Sequence, residues 1–451
     1  MSIAIAPSVS PPPRSAVLRK IMALAAPTAL VALLQVAAQL AEIWLAARQG
    51  VAAFAGWAVV LPFAQLMQQM SGGAMGGGVS SSIARALGAN RPDEASALVV
   101  HALLIALAAS AVFVVALAVF PYAVLGAIAG PDVAQAAASY SIWLFGGGAV
   151  PVWLTNTFAS VLRGGGRHGL AARLLTLAWV VFPVLAWGFV ELADFGLAGI
   201  GVAFALVFWI VALAMGVVVF RGGAGFVPRW RVRLAAELFR RILSVGLVAC
   251  LIALLFNVAN ILVMAQIASY GSSAVAAYGI AARLEFLMIP LIFGVGSALT
   301  TLVGQTVGAG DWRAARRTAW TGALFAFGVA SIAGLAVALA PAVFAGLFTS
   351  DPGVEAIAAR ALSFISPAFG IFGLGLALYF AAMGAGRMGW SIAASVARVV
   401  LAVGGGWLLA NPGGMGLDGH FLGVALGIAA LGGVNAVGVR AATWSAARFR
   451  S

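Results

Sequence analysis

The chain is 451 residues long and 63% hydrophobic, and its 25 Lys plus Arg and 12 Asp plus Glu leave only 8% of positions charged. Soluble domains hold about 25% charged residues, so a surface of this size must be covered largely by lipid, which makes the chain a polytopic membrane protein. The net charge of +13 then points to basic membrane loops and not to nucleic acid.

The Pro-rich opening MSIAIAPSVSPPPRSAV has no basic region followed by an apolar core, so residues 1–18 read as a disordered cytoplasmic tail and not as a cleaved signal peptide. Apolar runs bounded by charge, Gly and Pro then predict twelve spans: 21–46, 52–80, 95–120, 134–161, 170–191, 196–220, 240–267, 273–304, 315–347, 354–384, 390–410 and 419–443. Each reaches the roughly 20 residues a transmembrane helix needs. The fold class is therefore all-α, with no room for a soluble domain of useful size.

Charge tests the count independently. On alternate connections, 22 of the 25 basic residues fall on one side, from Arg14, Arg19 and Lys20 through the crowded 221–241 segment to Arg387, Arg398, Arg440, Arg448 and Arg450. Arg48, Arg283 and Arg360 fall elsewhere, and Asp132, Glu191, Asp194, Asp351, Glu355 and Asp418 mark the opposite loops. The positive-inside rule puts both termini in the cytoplasm, and a bacterial inner membrane is the expected location.

RGGAGFVPRWRVR (221–233) is polar and basic between two apolar halves. It sets an N-lobe at 19–220, a linker at 221–235 and a C-lobe at 236–451. An offset of about 220 residues aligns IARALGANRPDEA (83–95) with VGQTVGAGDWRAA (303–315), Pro121 with Pro341, and Gly166-Arg167 with Gly386-Arg387. This is a duplicated six-helix unit in parallel orientation, a transporter architecture whose pathway runs between the repeats.

An intramembrane acid is a functional candidate by default, and only Glu42 in the first span and Glu285 in the eighth qualify. Gln35, Gln39 and Glu42 share one helical face by their i, i+4, i+7 spacing. The second span contributes Gln65, which the offset places opposite Glu285. Asn257 and Asn260 form an i, i+3 pair in the seventh span, Asn260 falling opposite Gln39. The amides fit either a polar-lined path or interhelical hydrogen bonds that hold the bundle, and Glu285 fits either a site or a structural pair with an arginine. Met67, Met264 and Met288 sit on the same spans, where a methionine can line an adaptable cavity or simply fill the core.

Other chemistry finds no support. SGGAMGGG (71–78) and LRGGGRHG (162–169) lack the phosphate-loop pattern, the only lysine is Lys20, and the first run suits close helix approach and bending. His101, His168 and His420 have no metal-ligand spacing, and Cys250 alone excludes an intrachain disulfide or a cysteine cluster. No metal site and no cofactor are expected, and no clustered catalytic set suggests an enzyme.

The stretch Pro27–Gly50 ending EIWLAARQG, then FAGWAVVLPF and SSIARALGANRPDEA, resembles the first helices of multidrug and toxic compound extrusion (MATE) transporters. AAYGIAARLEFLMIPLIFGVGSALTTLVGQTVGAGDWRAA (276–315) is similar to that family's eighth helix and following loop, and the likeness runs over nearly the whole chain, pointing to the bacterial proton-coupled DNA-damage-inducible-protein-F-like branch. The resemblance implies a V-shaped pair of lobes that open alternately and export cationic or amphiphilic compounds in exchange for H+ or Na+. The family commonly carries an Asp eight residues before the Gly that ends the first loop, and Glu42 stands there. Its Na+-linked members carry acids on helices 7 and 10, where this chain offers Asn257, Asn260 and no mid-helix acid. The helix 5 Asp of some archaeal relatives has no match either, which favours H+ as the coupling ion. The expected protein is a monomeric drug/H+ antiporter. Its alternatives are a Na+-coupled drug antiporter, a lipid-linked saccharide or lipid flippase, and a scaffold that transports nothing.

Overall fold

A computed structural model describes residues 13–440 and Trp444. Its long helices are α1 Arg14–Arg48, α2 Val51–Gly88, α3 Pro92–Val119, α4 over 131–164, α5 His168–Leu192 and α6 Gly196–Phe220. Residues 221–235 then run outside any helix before α7 Ala236–Tyr270, α8 Ser272–Gly308, α9 Trp312–Leu339, α10 Pro352–Ala385, α11 Gly389–Ala410 and α12 Leu417–Gly438. No strand occurs among the described residues. Eleven of these helices are long and apolar enough to cross a bilayer. The remaining one, α4, has a π-helical stretch, Ile142–Gly147, and a turn at Gly148 before Ala149–Gly164.

Several boundaries differ from the sequence expectation: α2 runs on to Gly88, eight residues past the expected end at 80, and α7 and α8 are each a few residues longer. Helix α1 starts at Arg14, immediately after Pro13, so residues 14–18 are helical and not tail, while residues 1–12 lie outside the described residues. Helix α12 ends at Gly438, and Arg448 and Arg450 lie outside the described residues. The ninth span is two helices: α9 stops at Leu339 and a short helix, Pro341–Gly346, follows Ala340. Pro341 has no N–H and its ring clashes with the preceding turn, which forces the break. The same device works 220 residues earlier, where Phe120 leaves the helical region and Pro121–Ala129 restarts.

The duplication is written in the backbone. Left-handed φ values recur at Asn90 and Gly310, Gly166 and Gly386, Gly196 and Gly416, and Gly50 and Gly271, pairs separated by 220 or 221 residues. Each lies in a tight interhelical turn, where glycine or asparagine adopts φ > 0 at least cost. The buried apolar residues fall into two cores, one centred on α2–α6 and the other on α7–α12. The lobes exchange ends: Val17, Ile21 and Ala25 at the start of α1 belong to the C-lobe core, and Ile242 near the start of α7 belongs to the N-lobe core. Ile21 and Ile242 are both fully buried and occupy the same position in the two repeats.

Small residues let the lobes touch at the arginine-rich end. A Cβ on Gly78 would lie 2.8 Å from the Ile242 carbonyl oxygen, and one on Gly304 would lie 2.8 Å from Ala84 Cβ. Gly88 packs on the Gln305 backbone and Gly308 on that of Arg85. The run at 71–78 therefore serves close approach as its composition suggests, and it bends too, with Gln69–Met75 forming a π-helical segment in the middle of α2. Arg85 Nη1 donates to the Gly384 carbonyl at 3.0 Å, and Ser82 Oγ donates to that of Arg241 at 3.3 Å.

At the opposite end, two of the three arginines that break the charge rule are paired with loop acids, Arg48 with Glu191 at 2.9 Å and Arg360 with Asp418. The linker is tied down on α3: Ser96 Oγ accepts from the Arg229 N–H at 2.8 Å, and His101 Nε2 accepts from that of Ala235 at 3.0 Å.

Candidate functional site

Glu42 sits near the far end of α1, half-buried among α2 and α4. Tyr140 Oη donates to its Oε1 at 2.5 Å and Trp57 Nε1 donates to the same oxygen at 3.0 Å. Both donors are fixed: Tyr140 is fully buried and Trp57 is 4% exposed, and Trp57 stacks on Phe54 with ring centroids 5.5 Å apart. Oε2 makes no side-chain hydrogen bond among the described residues, and no described arginine pairs with Glu42. A carboxylate withdrawn from water and lacking a countercharge has two ways to lower its energy, taking a proton or taking a cation. Two neutral donors on one oxygen hold the group in place while leaving both routes open.

Gln35 and Gln39 lie on the same face of α1, half-buried, with no side-chain hydrogen bond among the described residues, and Gln65 is exposed. The structural amides of this lobe are others. Asn156 Nδ2 donates to Ser71 Oγ at 2.8 Å and to Gln68 Oε1 at 3.3 Å, bracing α4 against the bend in α2.

Glu285 in α8 is buried, and its partner is Arg398 of α11. The Arg398 guanidinium also lies 4.2 Å from the Phe256 ring centroid and 5.5 Å from that of Phe372, while its buried Nη1 has no hydrogen-bond partner among the described residues. Arg398 therefore does not belong to the loop charge set to which its sequence position assigns it. It lies well inside α11, a place that counting from Gly389 would have found. Of the two intramembrane acids, one is neutralised by an arginine and the other is not.

The remaining C-lobe candidates divide. Asn260 Oδ1 accepts from Tyr278 Oη at 3.0 Å, whereas Asn257 Nδ2 donates to the Ala253 carbonyl of its own helix at 2.8 Å. Tyr278 stands 221 residues after Trp57. In each lobe an aromatic donor on the second helix thus reaches a polar acceptor on the first. That recurrence was present in the sequence, but it becomes a signal only once the donors are seen to point at acceptors. Met67 and Met288 are core residues and Met264 is half-buried.

One more polar cluster was missed. His168, fully buried at the start of α5, has Nδ1 3.2 Å from Thr28 Oγ1 of α1 and Nε2 3.0 Å from Thr301 Oγ1 of α8. Thr301 Oγ1 donates to the Arg163 carbonyl at 2.9 Å, so it accepts from Nε2–H, and Nδ1 accepts from Thr28. A neutral imidazole in this tautomer satisfies all three groups across the lobe boundary.

Two parallel six-helix repeats that pack at one end, with an unpaired intramembrane carboxylate in the first, define a secondary-transporter architecture. Residues 27–188 and 249–408 match the MatE family, and the chain belongs to that family of membrane transporters. The probable multidrug resistance protein NorM of Xanthomonas axonopodis pv. citri is 30% identical over 303 residues, which cover 63% of this chain and 64% of the relative. The match thus spans just under two thirds of that relative's length. The FAD transporter of Shewanella oneidensis is 25% identical over 70% of this chain and 71% of its own. The solved structure of a MOP superfamily transporter from Pyrococcus furiosus superposes with a TM-score of 0.87 at 22% identity, covering 95% of this chain and 96% of that one, which fixes the shared twelve-helix, two-lobe fold.

Proposed function

We propose that the protein exports cationic or amphiphilic organic compounds by antiport against H+, with Glu42 as the group that exchanges proton for cation. The carrying observation is the contrast between the two intramembrane acids: Glu42 meets two neutral donors, whereas Glu285 meets Arg398. A proton arriving at Oε2 removes the charge that holds a cationic substrate, and a cation arriving there displaces the proton, so the two occupants compete. Gln35 and Gln39, on the same face of α1 and without side-chain partners among the described residues, are the polar groups best placed to meet a substrate beside it. Asn257 and Asn260 contribute polarity in the C-lobe, and Glu285 with Arg398 holds α8 to α11.

Na+ is the weaker coupling ion because the groups converging on Glu42 are donors, and a hard cation needs a shell of oxygen acceptors. An anionic cargo, as the FAD transporter's name or a lipid-linked sugar pyrophosphate would suggest, needs open cations in the path. Arg398 is occupied by Glu285 and Arg163 is buried with its guanidinium 5.8 Å from the Phe293 ring centroid, which leaves exposed Arg283 of α8 as a lone cation among the described residues of the path, too few for a pyrophosphate.

By the positive-inside rule the arginine-rich end is cytoplasmic, as are both termini, so the lobes as packed are closed towards the cytoplasm. The bacterial inner membrane, the division into lobes at 221–235, the monomeric state and the proton-coupled branch belong to this reading. Proteoliposome exchange driven by a pH gradient and, separately, by a Na+ gradient tests it: wild type should respond to the first and Glu42→Gln to neither. Full transport by Glu42→Gln, or flipping of a labelled lipid-linked sugar or export of FAD without any cation flux, would overturn it.

A further inference from the structure

A recess of about 440 Å3 opens at the arginine-rich end, between the start of α1 and the first turns of α9. Arg14 and Leu18 line one wall; Arg313, Arg316, Arg317, Trp320, Thr321, Leu324 and Phe325 line the other. The α9 residues fall at i, i+3, i+4, i+7, i+8 and i+11, with Phe325 beside them, one continuous helical stripe. Its composition grades along the axis, with three arginines at the terminus, an interfacial Trp and Thr next, and then Leu and Phe towards the bilayer centre.

The four arginines have no acidic partner among the described residues, unlike three others at this end. Arg91, Arg229 and Arg241 are each paired with Asp93, Glu94 or Glu237, whereas no described carboxylate pairs with Arg14, Arg313, Arg316 or Arg317, and none lines the recess. The nearby Asp311 is turned to its own helix, where it caps α9 by accepting from the Ala314 N–H at 2.8 Å. Trp320 is fixed by donating to the Val439 carbonyl at 3.1 Å, and Leu324 is 51% exposed, so the apolar half of the stripe faces outwards, where acyl chains lie.

We propose that this recess binds the headgroup of an anionic phospholipid, its phosphate held by the Arg14, Arg313, Arg316 and Arg317 guanidiniums and one acyl chain lying along Leu324 and Phe325. Clustered arginines suit a phosphate because each presents a fork of donors matched to its oxygens. Basic recesses between helices at the headgroup level are where such lipids are selected. The place in the fold gives the contact a consequence. The first turns of α1 belong to the C-lobe core while the rest of α1 builds the N-lobe, so a lipid bridging Arg14 and α9 fastens the seam that keeps the arginine-rich end closed.

Native mass spectrometry of the full chain in mild detergent, titrated with phosphatidylglycerol or with phosphatidylcholine of the same acyl chains, tests the site. Wild type should hold one phosphatidylglycerol at least tenfold more tightly than phosphatidylcholine. R313Q/R316Q/R317Q should lose most of that preference, each arginine being worth about fivefold at an anionic surface. The linker variant R221Q/R231Q/R233Q, matched in charge, should keep it, and L324Q should weaken phosphatidylglycerol without touching a response to free phosphate. Equal loss in both triple variants would mean bulk attraction only. Displacement of the lipid by glycerol 3-phosphate at similar concentration would mean a soluble-phosphate site, and either result overturns the proposal. Should the triple variant fail to fold, R316Q alone must show about a fivefold loss; an unchanged preference there overturns the proposal as well.

Discussion

Arg398 closes on Glu285 inside the C-lobe, their side chains only 3% and 5% exposed. A buried pair of this kind is costly to break and cheap to replace. Removing one partner strands the other charge, which costs about 3–5 kcal/mol in protein interiors, whereas replacing both by uncharged groups of similar volume strands no charge. Arg398→Met should therefore lower the midpoint of thermal unfolding in detergent sharply, and Glu285→Gln with Arg398→Met should recover most of the loss. If the double variant were as unstable as the single, the pair would not be the source of the effect.

Because Glu285 is neutralised within its own lobe, the proton-dependent part of transport should not pass through it. Glu285→Gln/Arg398→Met, once shown to be folded, should keep the pH dependence with which a fluorescent organic cation binds. The same measurement on Glu42→Gln should give binding that no longer changes with pH. In the wild type, affinity should fall as pH falls, since protonation removes the charge that the cation meets. An unaltered pH profile in Glu42→Gln would remove that residue from the mechanism.

Tyr140→Phe separates positioning from charge. The ring is retained and only the donor to Glu42 Oε1 disappears, leaving Trp57 as its one side-chain hydrogen bond. A hydrogen bond to a charged group contributes about 1.5–3 kcal/mol, and here it favours the ionised carboxyl. The variant should fold, bind the cation more weakly at high pH, and hold its proton to a higher pH than wild type. The pH midpoint of cation binding should accordingly move upwards; a downward move would show that Tyr140 stabilises the neutral acid.

Much of this was legible in the sequence, for physical reasons that also mark where reading stops. The helices declared themselves because lipid demands unbroken apolar runs, and Pro341 could have been recognised as a break by comparison with Pro121. Glu42 and Glu285 were conspicuous because charge is scarce. Their different circumstances were not visible, since Tyr140 lies 98 residues and Arg398 113 residues away along the chain, and only packing brings them together. The charge alternation groups Arg398 with loop residues, although its depth within α11 argues otherwise. His168 has no metal-ligand spacing in the sequence, and its partners are two hydroxyls on helices of both lobes.

That histidine makes the closed end testable. Thr28, His168 and Thr301 link α1, α5 and α8 through a neutral ring whose two nitrogens are both engaged, and the glycine contact of Gly304 with Ala84 lies on the same side of the bundle. His168→Leu keeps the ring's approximate volume and removes both hydrogen bonds across the lobe boundary, each worth about 0.5–1.5 kcal/mol, while Thr28 keeps the Leu24 carbonyl and Thr301 that of Arg163 as acceptors. Gly304→Val acts by a different route, since a Cβ 2.8 Å from Ala84 Cβ must push the helices apart, an overpacking cost typically of about 1–3 kcal/mol. Both changes penalise the same closed arrangement and spare any state in which the lobes have separated there. In a background with Cys250 replaced by Ala, a cysteine introduced at the fully buried Ser81 should react slowly with a membrane-impermeant maleimide applied from the arginine-rich side. His168→Leu and Gly304→Val should each speed that reaction several-fold, by the ratio that one kcal/mol or so implies. An unchanged rate in both would mean that the contacts at this end are not what keeps it shut.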